Sequence, residues 1–128
     1  MSNIPADLLY SSDDEWIRIE GEQGTVGITD YAQDALSDIV YVELPDAGDS
    51  MAAGEVFGVI ESVKAAADLF MPISGEIVEV NEDLPDMPEI LNSDPYDGWL
   101  VKLTVSDSKE LEGLMDATAY AAFCDERG

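Results

Sequence analysis

The spacing of apolar and polar residues predicts a chain made mainly of short β-strands. Runs rich in β-branched and aromatic residues, some alternating with polar residues, are bounded by glycine and proline, as expected for strands and turns. The predicted strands cover residues 15–20, 25–29, 39–44, the two sides of a hairpin within 54–75, 76–80 and 99–105. So many short strands, with helices only at the edges, favour a small antiparallel barrel or sandwich.

Helices are predicted where polar residues have the spacing of a capping box, in which the first and fourth side chains cap the helix start. The two pairs with this spacing are Asp30 with Gln33 and Asp107 with Glu110. The first predicts a short helix over residues 31–36, and the second a helix with Leu111, Leu114 and Met115 on one side. A last helix is expected from Ala117 to about residue 125.

A chain of 128 residues can bury one substantial core, so we expect a single domain over residues 1–128. Its β core is predicted over about residues 10–105 and its carboxyl-terminal helices over about 107–125. Residues 1–9 are expected to form an arm tied to the body, and residues 81–92 a loop with a short helical turn.

The hairpin predicted around Lys64 is the most informative stretch, because it would hold the lysine at or beside its turn with the ammonium group in water. The turn segment lacks the Asn-Gly or Asp-Gly pair that usually marks a two-residue loop, so the prediction depends on the flanking apolar runs. Basic residues are scarce in this chain, and the five are Arg18, Lys64, Lys102, Lys109 and Arg127. A charge at a hairpin tip could simply aid solvation, but a surface already rich in carboxylates needs no lysine for that purpose. We therefore interpret the amine as a candidate point of covalent attachment.

Acidic residues outnumber basic residues by 29 to 5, which gives a net charge of −24 and a pI near 4.1. This charge repels phosphates and anionic lipids, so nucleic acid and membranes are excluded as expected partners. The acids are spread along the whole chain, and strand-forming apolar residues recur between them, which argues against a disordered acidic chain. A surface of this kind is typical of proteins that stay soluble in molar salt, so we expect a halophilic protein.

The residue inventory also excludes several kinds of chemistry. The chain has no histidine, which excludes Ser-His-Asp and Cys-His catalysis and histidine-based zinc sites; no metal site is expected. Cys124 is the single cysteine, so an internal disulfide is impossible, and we expect a packed thiol in a reducing compartment. The first residues lack the pattern of a signal peptide, and no apolar run reaches the length of a membrane span. A cytoplasmic location is therefore expected.

A more specific indication comes from the order of several short motifs. Around the lysine they are Glu61-Ser62-Val63-Lys64-Ala65, then Asp68 and Pro72-Ile73-Ser74-Gly75-Glu76. Elsewhere they are Asp13-Asp14-Glu15-Trp16, Val26-Gly27-Ile28-Thr29-Asp30-Tyr31-Ala32-Gln33, Val42-Glu43-Leu44-Pro45, Val80-Asn81-Glu82, Asn92-Ser93-Asp94-Pro95-Tyr96 and Gly98-Trp99-Leu100. In this order, and over nearly the whole chain, they resemble the glycine cleavage system H protein family. Asp14 stands where that family usually has histidine, and the turn over residues 95–99 is one residue shorter than the usual form.

The resemblance implies a mainly β fold, a hybrid of barrel and sandwich like that of lipoyl and biotinyl carrier domains, with a carboxyl-terminal helical addition. It implies that Lys64 carries lipoate in amide linkage and that the protein itself catalyses nothing. Its partners would be glycine decarboxylase, which loads the aminomethyl group of glycine, an aminomethyltransferase, dihydrolipoamide dehydrogenase and the lipoate-attachment enzymes. Glu15 and Asp68 match positions that the family places near the loaded arm, where carboxylates would hold a positive amine.

Other interpretations remain open. A lipoyl domain of a 2-oxo acid dehydrogenase is the nearest, but such domains generally have aspartate just before the lysine, where this chain has Val63, and lack the carboxyl-terminal helices. A biotin carrier would flank its lysine with methionines, whereas the neighbours here are Val63 and Ala65. An acidic metal-binding or scaffold protein is suggested by residues 94–98, although they lack the alternating acids and closing glutamate of an EF-hand. An enzyme with paired carboxylates is also conceivable, but no pair stands out among the acids.

Overall fold

A computed structural model describes residues 3–127 of the chain. Its strands are β1 (Leu9–Tyr10), β2 (Glu15–Glu20), β3 (Gln23–Ile28), β4 (Ile39–Glu43), β5 (Ser50–Met51), β6 (Val56–Ser62), β7 (Ala66–Phe70), β8 (Gly75–Val80) and β9 (Val101–Val105). Its helices are α1 (Asp30–Leu36), α2 (Ile90–Ser93), a 3₁₀ helix (Ser108–Gly113) and α3 (Ala117–Arg127). None of these helices is long and apolar enough to cross a membrane.

The strands form two antiparallel sheets that enclose the main core. One sheet has the order β1-β2-β3-β9-β8-β5, and the other has the order β4-β6-β7. Side chains from both sheets meet in a single apolar cluster that includes Ile17, Val26, Ile77 and Leu103 from the larger sheet and Val42 and Ile60 from the smaller. The predicted mainly β fold, a hybrid of barrel and sandwich with a carboxyl-terminal helix, is therefore confirmed.

The predicted strands are all present, with bounds that differ by at most two residues. The two-residue strands β1 and β5 were not predicted, because a segment this short shows no periodicity. Strand β1 lies where the sequence suggested the junction between an arm and the body, and Tyr10 pairs with Trp16 of β2.

Helix α1 was predicted correctly, but the proposed capping box at its start is wrong by one residue. Thr29 is the N-cap, and its hydroxyl accepts a hydrogen bond from the backbone N–H of Ala32 at 3.2 Å. Asp30 is the first helical residue, and its carboxylate accepts from the side-chain amide of Gln33. The side-chain hydroxyl therefore supplies the N-cap interaction that we had assigned to the carboxylate.

The second proposed capping box is also wrong, because its glutamate has other partners. Asp107 does act as an N-cap and accepts from the backbone N–H of Lys109 at 3.0 Å. The carboxylate of Glu110 instead accepts from the backbone N–H and the hydroxyl of Ser74, at 2.7 and 2.9 Å. The resulting element is a short 3₁₀ helix that ends at Gly113, so the predicted apolar stripe does not form on one helix.

Helix α3 packs on the larger sheet through a second apolar cluster. The rings of Tyr10 and Tyr120 stack with their centroids 4.6 Å apart, and Cys124 is buried in the same cluster, as predicted. Asp14 accepts hydrogen bonds from the Tyr120 hydroxyl at 2.9 Å and from the Arg127 guanidinium. Asp14 therefore anchors the last helix to the start of β2.

Candidate functional site

Lys64 lies at the tip of the predicted hairpin, which the structure confirms. Strand β6 ends at Ser62, β7 begins at Ala66, and the backbone N–H of Ser62 donates to the carbonyl of Ala65 at 2.7 Å. The Ser62 hydroxyl accepts from the N–H groups of Lys64 and Ala65, at 3.2 and 3.0 Å. These bonds explain how the turn forms without Asn-Gly, because a serine hydroxyl can bind the backbone two and three residues later. Sequence reasoning missed this role of Ser62, although a serine two residues before the lysine was the available signal.

The hairpin tip is held in place by the end of helix α1 and by the loop that follows it. The N–H of Val63 donates to the carbonyl of Asp38 at 3.0 Å, and the Lys64 ammonium donates to the carbonyl of Ala35 at 3.3 Å. A lysine cation near a helix carboxyl terminus is favourably placed with respect to the helix dipole. The backbone of the tip is therefore fixed, while the Lys64 side chain remains exposed and makes one long contact with a neutral group.

The other two lysines are placed differently. Lys102 lies within β9, where its ammonium is 3.9 Å from the Glu79 carboxylate and 4.9 Å from the centre of the Trp99 ring. Lys109 lies in the 3₁₀ helix. Among the residues that the structure describes, Lys64 is therefore the lysine that projects from a hairpin turn. An exposed primary amine at such a position can be reached by an enzyme that forms an amide.

Asp68 lies on β7 and Glu15 on β2, and the two acids differ in exposure. Asp68 is an exposed residue of β7, opposite Val59 and four residues after Lys64. Glu15 is 1 % exposed, and its carboxylate accepts from the N–H of Phe70 at 2.8 Å. Because β7 is an edge strand of the smaller sheet, this bond satisfies an edge N–H and connects the two sheets. The structure therefore brings both acids to β7 and leaves only Asp68 at the surface.

Burial raises the pKa of Glu15 from its ordinary value to about 8. The hydrogen bond from Phe70 and a 3.3 Å bond from the Ser11 hydroxyl lower the pKa, whereas the charges of Asp13 and Asp14 raise it further. Loss of contact with water is the largest cause, because it penalises the charged carboxylate. Glu15 is therefore expected to hold a proton near neutral pH.

We expect Glu15→Gln to remove part of the pH dependence of stability. A folded pKa raised to about 8 means that the stability from Glu15 is complete below its ordinary pKa, 4.5, and is lost as the pH rises towards 8. The glutamine variant should therefore gain stability relative to the native chain as the pH rises across this range, by an amount on the order of a few kcal/mol. Urea unfolding at several pH values measures this difference.

Glu20→Gln is the matched control, because Glu20 lies at the other end of β2 and is exposed. Its stability relative to the native chain should stay constant between pH 5 and 8. If the free energy of unfolding depends on pH in the same way in the native chain and in Glu15→Gln, the assignment of Glu15 as a protonated, buried carboxyl is contradicted.

Within residues 3–127 there is no group of three or more histidine, cysteine, aspartate or glutamate side chains that could hold a metal ion. The surface at the hairpin tip offers a projecting amine, fixed by its hairpin and open to another molecule.

The chain is similar in sequence to proteins of one family. The family described as Glycine cleavage H-protein matches residues 8–127. A Glycine cleavage system H protein of Alteromonas mediterranea is 57% identical over 128 residues, which cover 98% of this chain and 99% of that protein. One from Anaeromyxobacter sp. (strain K) is 55% identical over 125 residues, covering 97% of this chain and 98% of the relative.

A solved structure agrees with the sequence comparisons. The crystal structure of a glycine cleavage system H protein from Mycobacterium marinum superposes with a TM-score of 0.82 and 41% identity, and covers 93% of this chain and 97% of that one. The chain therefore belongs to the glycine cleavage H-protein family.

Proposed function

We propose that this chain is the lipoyl carrier of a glycine cleavage system, with lipoate joined to the side-chain nitrogen of Lys64 through an amide. The observation that carries the proposal is the position of Lys64 at the tip of a fixed hairpin, in a member of this family. The exposed amine fits the attachment of an acyl group, because the lysine has no carboxylate partner among the described ion pairs. Lipoate, when bound, supplies a reducible disulfide at the end of a long arm.

The residues of the chain would supply position and recognition. Ser62 holds the turn, and the carbonyls of Ala35 and Asp38 fix the tip against helix α1. The long arm could then reach separate active sites while its base stays at one place. The expected partners are glycine decarboxylase, the aminomethyltransferase, dihydrolipoamide dehydrogenase and the lipoate-attachment enzymes.

Reconstitution with purified partner enzymes tests this function. The lipoylated chain should support glycine-dependent exchange of carbon dioxide with glycine decarboxylase, and the unmodified chain should not. A lipoyl domain of a 2-oxo acid dehydrogenase would instead accept an acyl group from a 2-oxo acid decarboxylase. Acylation by that enzyme, without glycine-dependent exchange, would favour the alternative function.

We also propose that Asp68 and Glu15 help to retain the aminomethyl cargo. Asp68 is exposed on the strand that leads away from Lys64, so its carboxylate could meet the positive amine of the cargo. Glu15 is buried and binds the N–H of Phe70, so it would act through the position of β7.

We expect Asp68→Asn to shorten the time for which the loaded protein retains its cargo, severalfold. Release of ammonia from purified loaded protein measures this time. Glu76→Gln, an exposed acid on the larger sheet, controls for the loss of one negative charge. Equal retention in Asp68→Asn and the native chain would refute this role of Asp68.

A further inference from the structure

An irregularity in β4 exposes two consecutive large apolar side chains beside the hairpin tip. The pairing of β4 with β6 shifts between Ile39 and Tyr41, so that Val40 has no regular partner. Such a bulge breaks the alternation of a strand and redirects side chains. Val40 and Tyr41 are consequently 55% and 45% exposed, whereas Ile39 and Val42 are buried.

A third exposed apolar residue lies at the same end of the sheet. Val63, next to Lys64, is 69% exposed, and its N–H donates to the carbonyl of Asp38, the residue before β4. Across the strand pair, Ile39 faces Ser62 and Tyr41 faces Glu61. Val40, Tyr41 and Val63 therefore occupy neighbouring positions around the base of Lys64, and we call them the tip patch.

The tip patch is unusual for such an acidic chain. Apolar side chains grouped at a surface are a feature of interaction sites, and tyrosine is enriched in protein interfaces because its ring is large and has a polar end. Exposed acids surround the patch at positions 34, 38, 43 and 61. A matching surface would therefore be an apolar recess bordered by basic side chains.

The expected partners differ in how close to Lys64 they must bind, and the patch lies beside Lys64. Enzymes that act on the end of a long lipoyl arm can work at a distance from Lys64. The attachment enzyme must instead bring its active site to the Lys64 nitrogen itself, and so must cover the surface around it. Its reaction joins the activated carboxyl carbon of lipoate to that nitrogen, while the activating group leaves with the bonding electron pair and the amine loses a proton.

We propose that the tip patch is the docking surface for the lipoate-attachment enzyme, which contacts it through an apolar recess with a basic rim. This inference rests on the proposed function of Lys64. A second copy of the chain is a poorer fit, because the surrounding acids of two copies would repel each other at the exposed edge of β4.

The test uses a purified lipoate–protein ligase with lipoate and ATP. Intact mass measures the rate at which this enzyme modifies the unlipoylated chain. The variant Val40→Thr/Tyr41→Thr/Val63→Thr keeps strand-compatible residues and removes the apolar surface. It should raise the KM for the chain at least tenfold and leave kcat nearly unchanged. The control Val56→Thr/Val78→Thr alters valines that are 45% and 42% exposed elsewhere and should behave like the native chain.

The outcomes separate the inference from the proposed function. If the native chain is modified at Lys64 and the tip-patch variant is modified with the same KM, the inference is wrong and the proposed function stands. If the native chain is not modified at Lys64, both are wrong. Sedimentation could instead reveal a dimer of the native chain that the tip-patch variant does not form. That result would assign the patch to a second copy and overturn the proposal. Circular dichroism checks that each variant folds.

Discussion

Lys64→Arg is expected to abolish glycine-dependent carbon dioxide exchange in the reconstituted system, to the level measured without the carrier. The guanidinium keeps the positive charge but does not form the stable amide that lysine forms. The native side chain is exposed, with one 3.3 Å bond to the carbonyl of Ala35, so the substitution should leave the fold intact. Exchange activity and intact mass after lipoylation measure the result together.

Lys102→Arg and Lys109→Arg are the matched controls, because they make the same substitution in a strand and in a 3₁₀ helix. Both variants should be lipoylated and should support exchange at close to the native rate. A Lys64→Arg variant that remains active, or a control variant that loses lipoylation, would contradict the assignment of the arm to Lys64.

Molar potassium chloride is expected to stabilise the folded chain strongly. A net charge of −24 on a domain of this size places many carboxylates within about 10 Å of each other, the screening length at 0.1 M salt. Within residues 3–127, two ion pairs form, Lys102 with Glu79 and Arg127 with Asp14, so basic residues offset little of the repulsion. At about 1 M salt the screening length falls to roughly 3 Å, which removes most of the repulsion.

We expect the Tm to rise by more than about 15 °C between tens of millimolar and molar potassium chloride, equivalent to several kcal/mol for a domain of this size. Thermal melts at neutral pH measure the change. Near the pI of 4.1 the net charge is small, so the same salt series should have much less effect there. A Tm that does not change with salt at neutral pH would refute the expectation that the protein is suited to molar salt.

The sequence predicted the hairpin and its lysine because both depend on local patterns. Apolar runs on either side of Lys64 form β6 and β7, and the turn between them was placed correctly. The hydroxyl of Ser62, which stabilises that turn, was not assigned, because serine can bind several backbone groups and the choice depends on the folded chain.

Features that depend on distant contacts could not be predicted in the same way. Glu15 is expected from the sequence to be an acid near the arm, but it is buried, and its carboxylate accepts a hydrogen bond from the backbone N–H of Phe70, 55 residues away. Val40 and Val42 would share one face of a regular strand, whereas the bulge in β4 exposes the first and buries the second. Periodicity does not report such a shift, because the shift is set by pairing between strands.

The intact mass and peptide map of the protein purified from its natural host test most directly whether Lys64 carries lipoate. We expect a lipoyl amide on the peptide that contains Lys64 and unmodified peptides for Lys102 and Lys109. Active protein with an unmodified Lys64 peptide, or with a biotinyl group in place of lipoyl, would contradict this expectation.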